Sequence, residues 1–201
     1  AEDARAVNSR GRDVGLVDTF QVISLTRNFG GVDVSALSLL DPREVPVASE
    51  DGRDVESASV MRDAMASCAK AGVVVSCHCE DASIASRAKA PRSAALASLR
   101  EGREADALAS LSEAEEILRE AEDSMTERNL ALALETGCRV NITHTSTVRA
   151  IDLVRCAKAG LATVGTPDAL SPVTCDVTPQ HLALTSDTPE IVNPPLRLEA
   201  Y

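Results

Sequence analysis

Between Val45 and Val177 short apolar runs alternate with longer stretches of helical period, and several of those stretches stop at a glycine. The run V-P-V-A-S closes at the turn Glu50-Asp51-Gly52 and reads as a strand. Residues 54–71 predict a helix, with Val60, Ala64 and Cys68 on one face and Gly72 as its stop. Residues 73–77, V-V-V-S-C, form a β-branched run of the kind found in a strand covered on both faces. Residues 81–90 predict a short helix or loop ended by Pro91. The alanine-rich stretch 93–137 is helical, and Ser112 with Glu115 matches a capping box, which predicts a helix start there. Residues 139–143 give the next strand. A helix capped by Ser146 or Thr147 follows to residue 159, with Val148, Ile151 and Val154 inward and Gly160 as its stop. Residues 161–165 and 173–177 are further strand candidates.

A chain in which strands and helices take turns forms a parallel sheet with right-handed crossovers. A full (β/α)₈ barrel takes on the order of 250 residues, and only about five or six strands read clearly. The fold class expected is therefore α/β, a partial or incomplete TIM-type (β/α) barrel. Residues 1–45 are the least readable segment, although G-L-V-D-T-F-Q-V-I-S-L has some strand character. Residues 46–201 carry the barrel portion.

Only Phe20, Phe29 and Tyr201 are aromatic, so the core is built from smaller aliphatic side chains. The net charge of −11 argues against nucleic acid or an anionic membrane as partner, because both demand a basic face. The start A-E-D-A-R-A is polar and acidic, unlike a signal peptide. No run approaches the roughly 18 apolar residues of a membrane span. Most of the six cysteines (Cys68, Cys77, Cys79, Cys138, Cys156, Cys175) lie within apolar runs, which predicts buried thiols and not a disulfide framework. These features predict a cytoplasmic protein.

The chain holds three histidines, and two of them, His78 and His144, each close an apolar run and open a polar one. The carboxyl ends of parallel strands are where sites are built in such folds. Two imidazoles there, with Asp51 at the end of the preceding strand, make a plausible set for a catalytic zinc ion with open positions. The alternative is a pair of satisfied structural histidines. Cys77 and Cys79 flank His78, but strand alternation turns them away from it, so they predict core thiols. His181 begins an apolar segment without an acidic neighbour and reads as a supporting residue. In V-N-P-P-L-R the prolines fix the loop around Asn193, whose amide suits a substrate bearing amide and carboxylate groups. Arg197 has the geometry to grip a carboxylate.

Five pieces then come in series: A-S-E-D-G-R-D-V, V-V-V-S-C-H-C-E-D, R-V-N-I-T-H-T-S-T, V-T-C-D-V-T-P-Q-H-L-A-L-T and V-N-P-P-L-R. Their order and spacing resemble a class I dihydroorotase of the amidohydrolase superfamily, over about Val45 to Arg197. The resemblance implies Asp51 as the carboxylate bridging two zinc ions, His78 and His144 as ligands of the second zinc, and Asn193 as a substrate-binding residue. It implies a small-molecule substrate: reversible zinc-dependent closure of N-carbamoyl-aspartate to dihydroorotate, in pyrimidine synthesis. Hydantoinases and allantoinases share the fold but use a modified lysine where this chain has Asp51.

The sequence departs from the family in three places. Where the family opens its barrel with H-x-H, G-L-V-D-T-F-Q-V offers Phe20 and Gln21. Gln180 replaces a usual histidine. The family's last-strand Asp, its metal ligand and proton shuttle, is missing after V-N-P-P-L-R, where only Leu198 to Tyr201 follow, so no catalytic acid/base is assigned. Impaired turnover is expected for this polypeptide. The alternative is a non-catalytic scaffold domain making contacts in a homodimer or with aspartate transcarbamoylase.

Overall fold

The computed structural model describes residues 2–162, 172–188 and 191–197. Four short strands form one parallel sheet: β1 (Val47–Ser49), β2 (Val74–Cys77), β3 (Val140–Ile142) and β4 (Val173–Cys175), in that spatial order. Spatial order equal to chain order, with helices in the crossovers, is the winding of a (β/α) barrel wall. Ile23 makes a single parallel bridge to Ala48, so the strand character read around it becomes one paired residue beside β1.

The crossovers are α2 (Ala58–Ala71) between β1 and β2 and α6 (Val148–Ala162) after β3. Between β2 and β3 come α3 (Ala82–Ala85), α4 (Lys89–Arg100) and the 33-residue α5 (Glu104–Thr136). A helix α1 (Glu2–Val14) precedes the sheet, and a single turn, α7 (Pro179–Ala183), follows it.

Local chemistry sets most boundaries. Helix α2 begins at Ala58 rather than at Asp54, because the Ser57 hydroxyl accepts the Val60 N–H and caps it. It ends at Gly72, whose left-handed φ of 76° costs a glycine nothing. Pro91 sits in the first turn of α4, where its missing N–H costs nothing, and so does not end a helix. Ser112 lies inside α5, and the capping-box start is not used. Helix α5 runs on to Gly137, at φ 69°. Thr147 caps α6 by accepting the Ala150 N–H at 3.0 Å. Helix α6 continues through Gly160 to Ala162, so the strand proposed for 161–165 begins on helix and its remainder lies outside the described residues. Val148 is exposed, whereas Val154 is buried.

One core fills the space between the sheet and α2, α5 and α6. Val75, Val140, Ile142 and Val173 from the strands meet Met61, Ala64, Met65 and Cys68 of α2 and Met125, Leu130 and Ala133 of α5. With no buried phenylalanine or tyrosine ring among the described residues, flexible methionines and thiols fill the gaps. Leu25 and Leu37 from the first 45 residues are buried in the same cluster. Cys68, Cys77, Cys79 and Cys138 are buried, Cys156 and Cys175 are exposed, and all six are free thiols.

Candidate functional site at the carboxyl ends of the strands

The backbone departs from ordinary conformations where the strands end. Asp51 (φ 58°) follows β1, Cys79 (φ 51°) follows β2, and His144 (φ 41°) follows β3. Non-glycine residues rarely adopt this region, and clusters of them mark places where the surrounding structure holds the chain for a purpose.

His78 and His144 come together. Nδ1 of His78 and Nε2 of His144 face each other at 2.8 Å, with ring centroids 4.8 Å apart in an edge-to-face arrangement. Both imidazoles are held below their ordinary pKa. For His78 burial is the largest cause and His144 the next, against the carboxylates of Asp51, Asp176 and Glu80. For His144 burial again leads, against its own backbone and the charges of Glu122 and Asp176.

Each loop is pinned from outside. Behind His78, the Cys79 N–H donates to Oδ2 of Asp54 at 3.1 Å, and that oxygen also accepts Nδ2 of Asn129 at 2.7 Å. Behind His144, Asp176 accepts the His144 N–H at 2.7 Å, Nδ2 of Asn141 at 2.6 Å and the Thr143 hydroxyl at 3.1 Å. Burial pulls the Asp176 carboxyl upward, but these donors outweigh it and hold the group below the usual carboxylate range.

Asp51 is exposed at the end of the adjacent strand, close enough for its charge to act on His78. Among the described residues no group of three or more His, Cys, Asp or Glu side chains stands ready to hold a metal ion. The structure thus joins the two histidines and places Asp51 beside them without closing the set. Cys77 and Cys79 lie in the core, and burial pushes both thiols well above their ordinary range, which suits packing and not ligation.

Asn193 reaches the same end of the sheet. Its Nδ2 donates to Oε2 of Glu80, two residues from His78, at 2.6 Å. Its Oδ1 accepts Nη1 of Arg92 at 3.1 Å. His181 braces the loop: Nε2 donates to the Pro194 carbonyl at 3.0 Å, which leaves Nδ1 to accept the Thr178 hydroxyl at 2.6 Å. That is the supporting role expected of it. Arg197 does not face a ligand. It is 8 % exposed and donates to Ser146 Oγ, the Glu115 carbonyl and Glu122. The carboxylates it pairs with are internal ones. Glu80, Arg92, Asp54 and Asp176 were not singled out by sequence. Only Glu80 and Asp176 carried a signal, standing beside strand-end motifs.

No protein-family profile matches the chain. Among curated proteins it is 32% identical over 190 residues to a dihydroorotase of Pelotomaculum thermopropionicum, covering 91% of this chain and 39% of that protein. It is 31% identical to a dihydroorotase of Mycobacterium leprae (94% and 40%) and 32% identical to one of Anaeromyxobacter dehalogenans (95% and 41%). The likeness therefore extends beyond Val45–Arg197, and the chain spans about two-fifths of the length of these relatives. Among solved structures, a D-hydantoinase superposes with a TM-score of 0.60 at 14% identity, over 89% of this chain and 37% of that one. The dihydropyrimidinase of Brevibacillus agri superposes at 0.57 with 16% identity, over 81% and 34%. At such identities the structures speak for the fold alone, a portion of a (β/α) barrel. With that fold, and with dihydroorotases matching nearly its whole length, the chain is dihydroorotase-like.

Proposed function

We propose that this chain carries the second-zinc half-site and part of the substrate-binding face of a dihydroorotase, which interconverts N-carbamoyl-aspartate and dihydroorotate. The observation that carries the reading is the convergence of His78 Nδ1 and His144 Nε2 at the ends of adjacent parallel strands. Two nitrogens on one tetrahedral zinc, each at about 2.0 to 2.1 Å, stand roughly 3.3 Å apart. The observed 2.8 Å needs only a small opening of the pair. Imidazoles held below their ordinary pKa are neutral near pH 7, the form that binds metal. The residues present thus fit zinc, with His78 and His144 as ligands and Asp51 as the neighbouring carboxylate. A zinc ion there supplies Lewis acidity to an amide carbonyl. Asn193 orients the substrate through its amide, and Glu80 and Arg92 hold that amide in place. Asp51 in place of a lysine favours dihydroorotase chemistry over that of hydantoinases.

Zinc stoichiometry of the purified 201-residue polypeptide tests this, alongside His78→Ala and His144→Ala. About one zinc per chain, lost in either variant, is the expected result for a shared site. Absence of zinc, or zinc retained in both variants, would sink it. The mutual hydrogen bond of the two histidines favours one other reading, a non-catalytic scaffold domain that contacts a second copy or a partner enzyme such as aspartate transcarbamoylase. In that case the variants lose stability and no metal is involved.

A further inference from the structure

Dihydroorotate and carbamoyl-aspartate are anions, so their recognition calls for a fixed cation beside the residue that reads the amide. Arg92, in the first turn of α4, meets that need. Nη1 donates to Asn193 Oδ1 and Nη2 donates to the Val192 carbonyl, both at 3.1 Å. A guanidinium has five N–H donors in a planar fork, and these two bonds leave the rest available. Among the described residues Arg92 forms no ion pair, whereas Arg87 pairs with Glu120, Arg119 with Glu115 and Arg197 with Glu122, and Arg128 lies beside Asp54. Glu80 is held on the far side of the Asn193 amide by a 2.6 Å bond, and Glu115 and Asp187, which line the same cleft as Arg92, form no ion pair with it. Arg92 is half-buried, so its charge is less screened than that of a freely exposed arginine. Asn193 in turn touches the His78 loop through Glu80, and the next residue, Pro194, is tied to His181.

We propose that Arg92 is the substrate-carboxylate recognition residue of this chain, acting side by side with Asn193. The proposal rests on the reading of Asn193 as a substrate-binding residue. A carboxylate entering beside Asn193 takes a charge-assisted bond from the free edge of the guanidinium while the ring amide engages Asn193. The ligand class is thus a cyclic amide or ureido acid bearing a carboxylate next to the amide. A neutral ring of the same shape loses that contact.

The test is calorimetric titration of the full chain, zinc added, with dihydroorotate and with 5,6-dihydrouracil, the same ring without the carboxylate. Wild type is compared with Arg92→Met and Arg92→Lys, whose folding is checked by thermal melting. The expected result is that wild type prefers dihydroorotate, that Arg92→Met weakens dihydroorotate by about tenfold or more, and that Arg92→Lys falls between. Dihydrouracil affinity falls by less, so the preference for dihydroorotate shrinks in both variants, and an equal loss for the two rings would leave Arg92 only holding Asn193 and overturn its role. Wild type that binds dihydroorotate while Arg92→Met binds it equally well overturns the role of Arg92 and leaves the site reading standing. Wild type that binds neither ring, or fails to distinguish them, overturns both. A methionine variant that does not fold shifts the decision to Arg92→Lys, for which unchanged dihydroorotate affinity overturns the role.

Discussion

Asp54 shows how a single buried residue shapes the site without touching it. It is 7 % exposed, accepts N–H groups from Val55 and Cys79 and the amide of Asn129, and lies 3.8 Å from Arg128. Burial raises its pKa, Arg128 and these donors pull it back, and burial wins, leaving it at about 6. Because the folded-state pKa lies above the ordinary 3.8 of an aspartate, the folded protein binds the extra proton between those two values. The group's contribution to stability is therefore fully present below 3.8 and is lost as pH rises through about 6. From pH 7 to pH 5, wild type should gain about 1 kcal/mol on Asp54→Asn, a variant without that titration. Urea denaturation of both proteins at the two pH values measures this, and a difference independent of pH would refute it. No local pattern pointed to this residue's role, because Asp54 reads locally as the acidic start of a helix. Its partners Cys79 and Asn129 are 25 and 75 residues away.

At the scale of elements, α5 does more than cover the sheet. Its Glu122 accepts the N–H groups of Ser146 and Thr147 at 2.7 and 3.1 Å and the Ser146 hydroxyl, so it seats the start of α6 just past His144. Glu115 and Glu122, two turns apart, hold Arg197 between them, at 3.7 and 3.3 Å. One helix thereby fixes the loop of His144 and the segment that follows Asn193. Removing one member of such a buried group leaves a charge without compensation. Arg197→Met should cost about 3 kcal/mol or more in denaturant unfolding. Combined with Glu122→Gln, which removes the opposing charge, it should cost less than the sum of the single effects. Strict additivity would show that the pair is not coupled. These contacts also explain what sequence reading reached and what it did not. Strands β1 to β4 and the stops at Gly72 and Gly137 were legible, because β-branched runs and glycines act locally. The start of α5 was misread because Ser112 and Glu115 satisfy a local capping pattern while Glu115 is spent on Arg119 and Arg197. Helix α1 was missed because its apolar content is low and Asn8 secures it through the Glu44 carbonyl and the Gln21 N–H.

At the scale of the molecule, the winding brings every strand end, and with them Asp51, His78, His144 and Asp176, to one edge of the sheet. That Asp51, His78 and His144 share this edge was legible in sequence, because a parallel sheet delivers strand ends to one side whatever lies between them, whereas Asp176 was not singled out. What the polypeptide can do there is bounded by its imidazoles. It has three histidines, and His181 spends both ring nitrogens on Thr178 and Pro194. One converging pair remains. At the position that the resemblance matches to the family's first metal-binding histidines stand Phe20, 53 % exposed, and Gln21, whose amide nitrogen bonds the Val22 carbonyl. Neither is a metal ligand. A two-metal centre divides the work of activating the nucleophile and stabilising the carbonyl oxygen between its ions, and losing one such contribution costs several kcal/mol of barrier. Each 1.36 kcal/mol is tenfold in rate. The purified 201-residue polypeptide, saturated with zinc, should therefore open dihydroorotate at least about a thousandfold more slowly than ordinary enzyme turnover of about 10 per second. It should nevertheless still bind zinc through His78 and His144. A continuous absorbance assay of ring opening, run beside metal analysis of the same sample, measures both. Ordinary turnover would mean that other side chains complete the centre, and the half-site account of this chain would then be wrong.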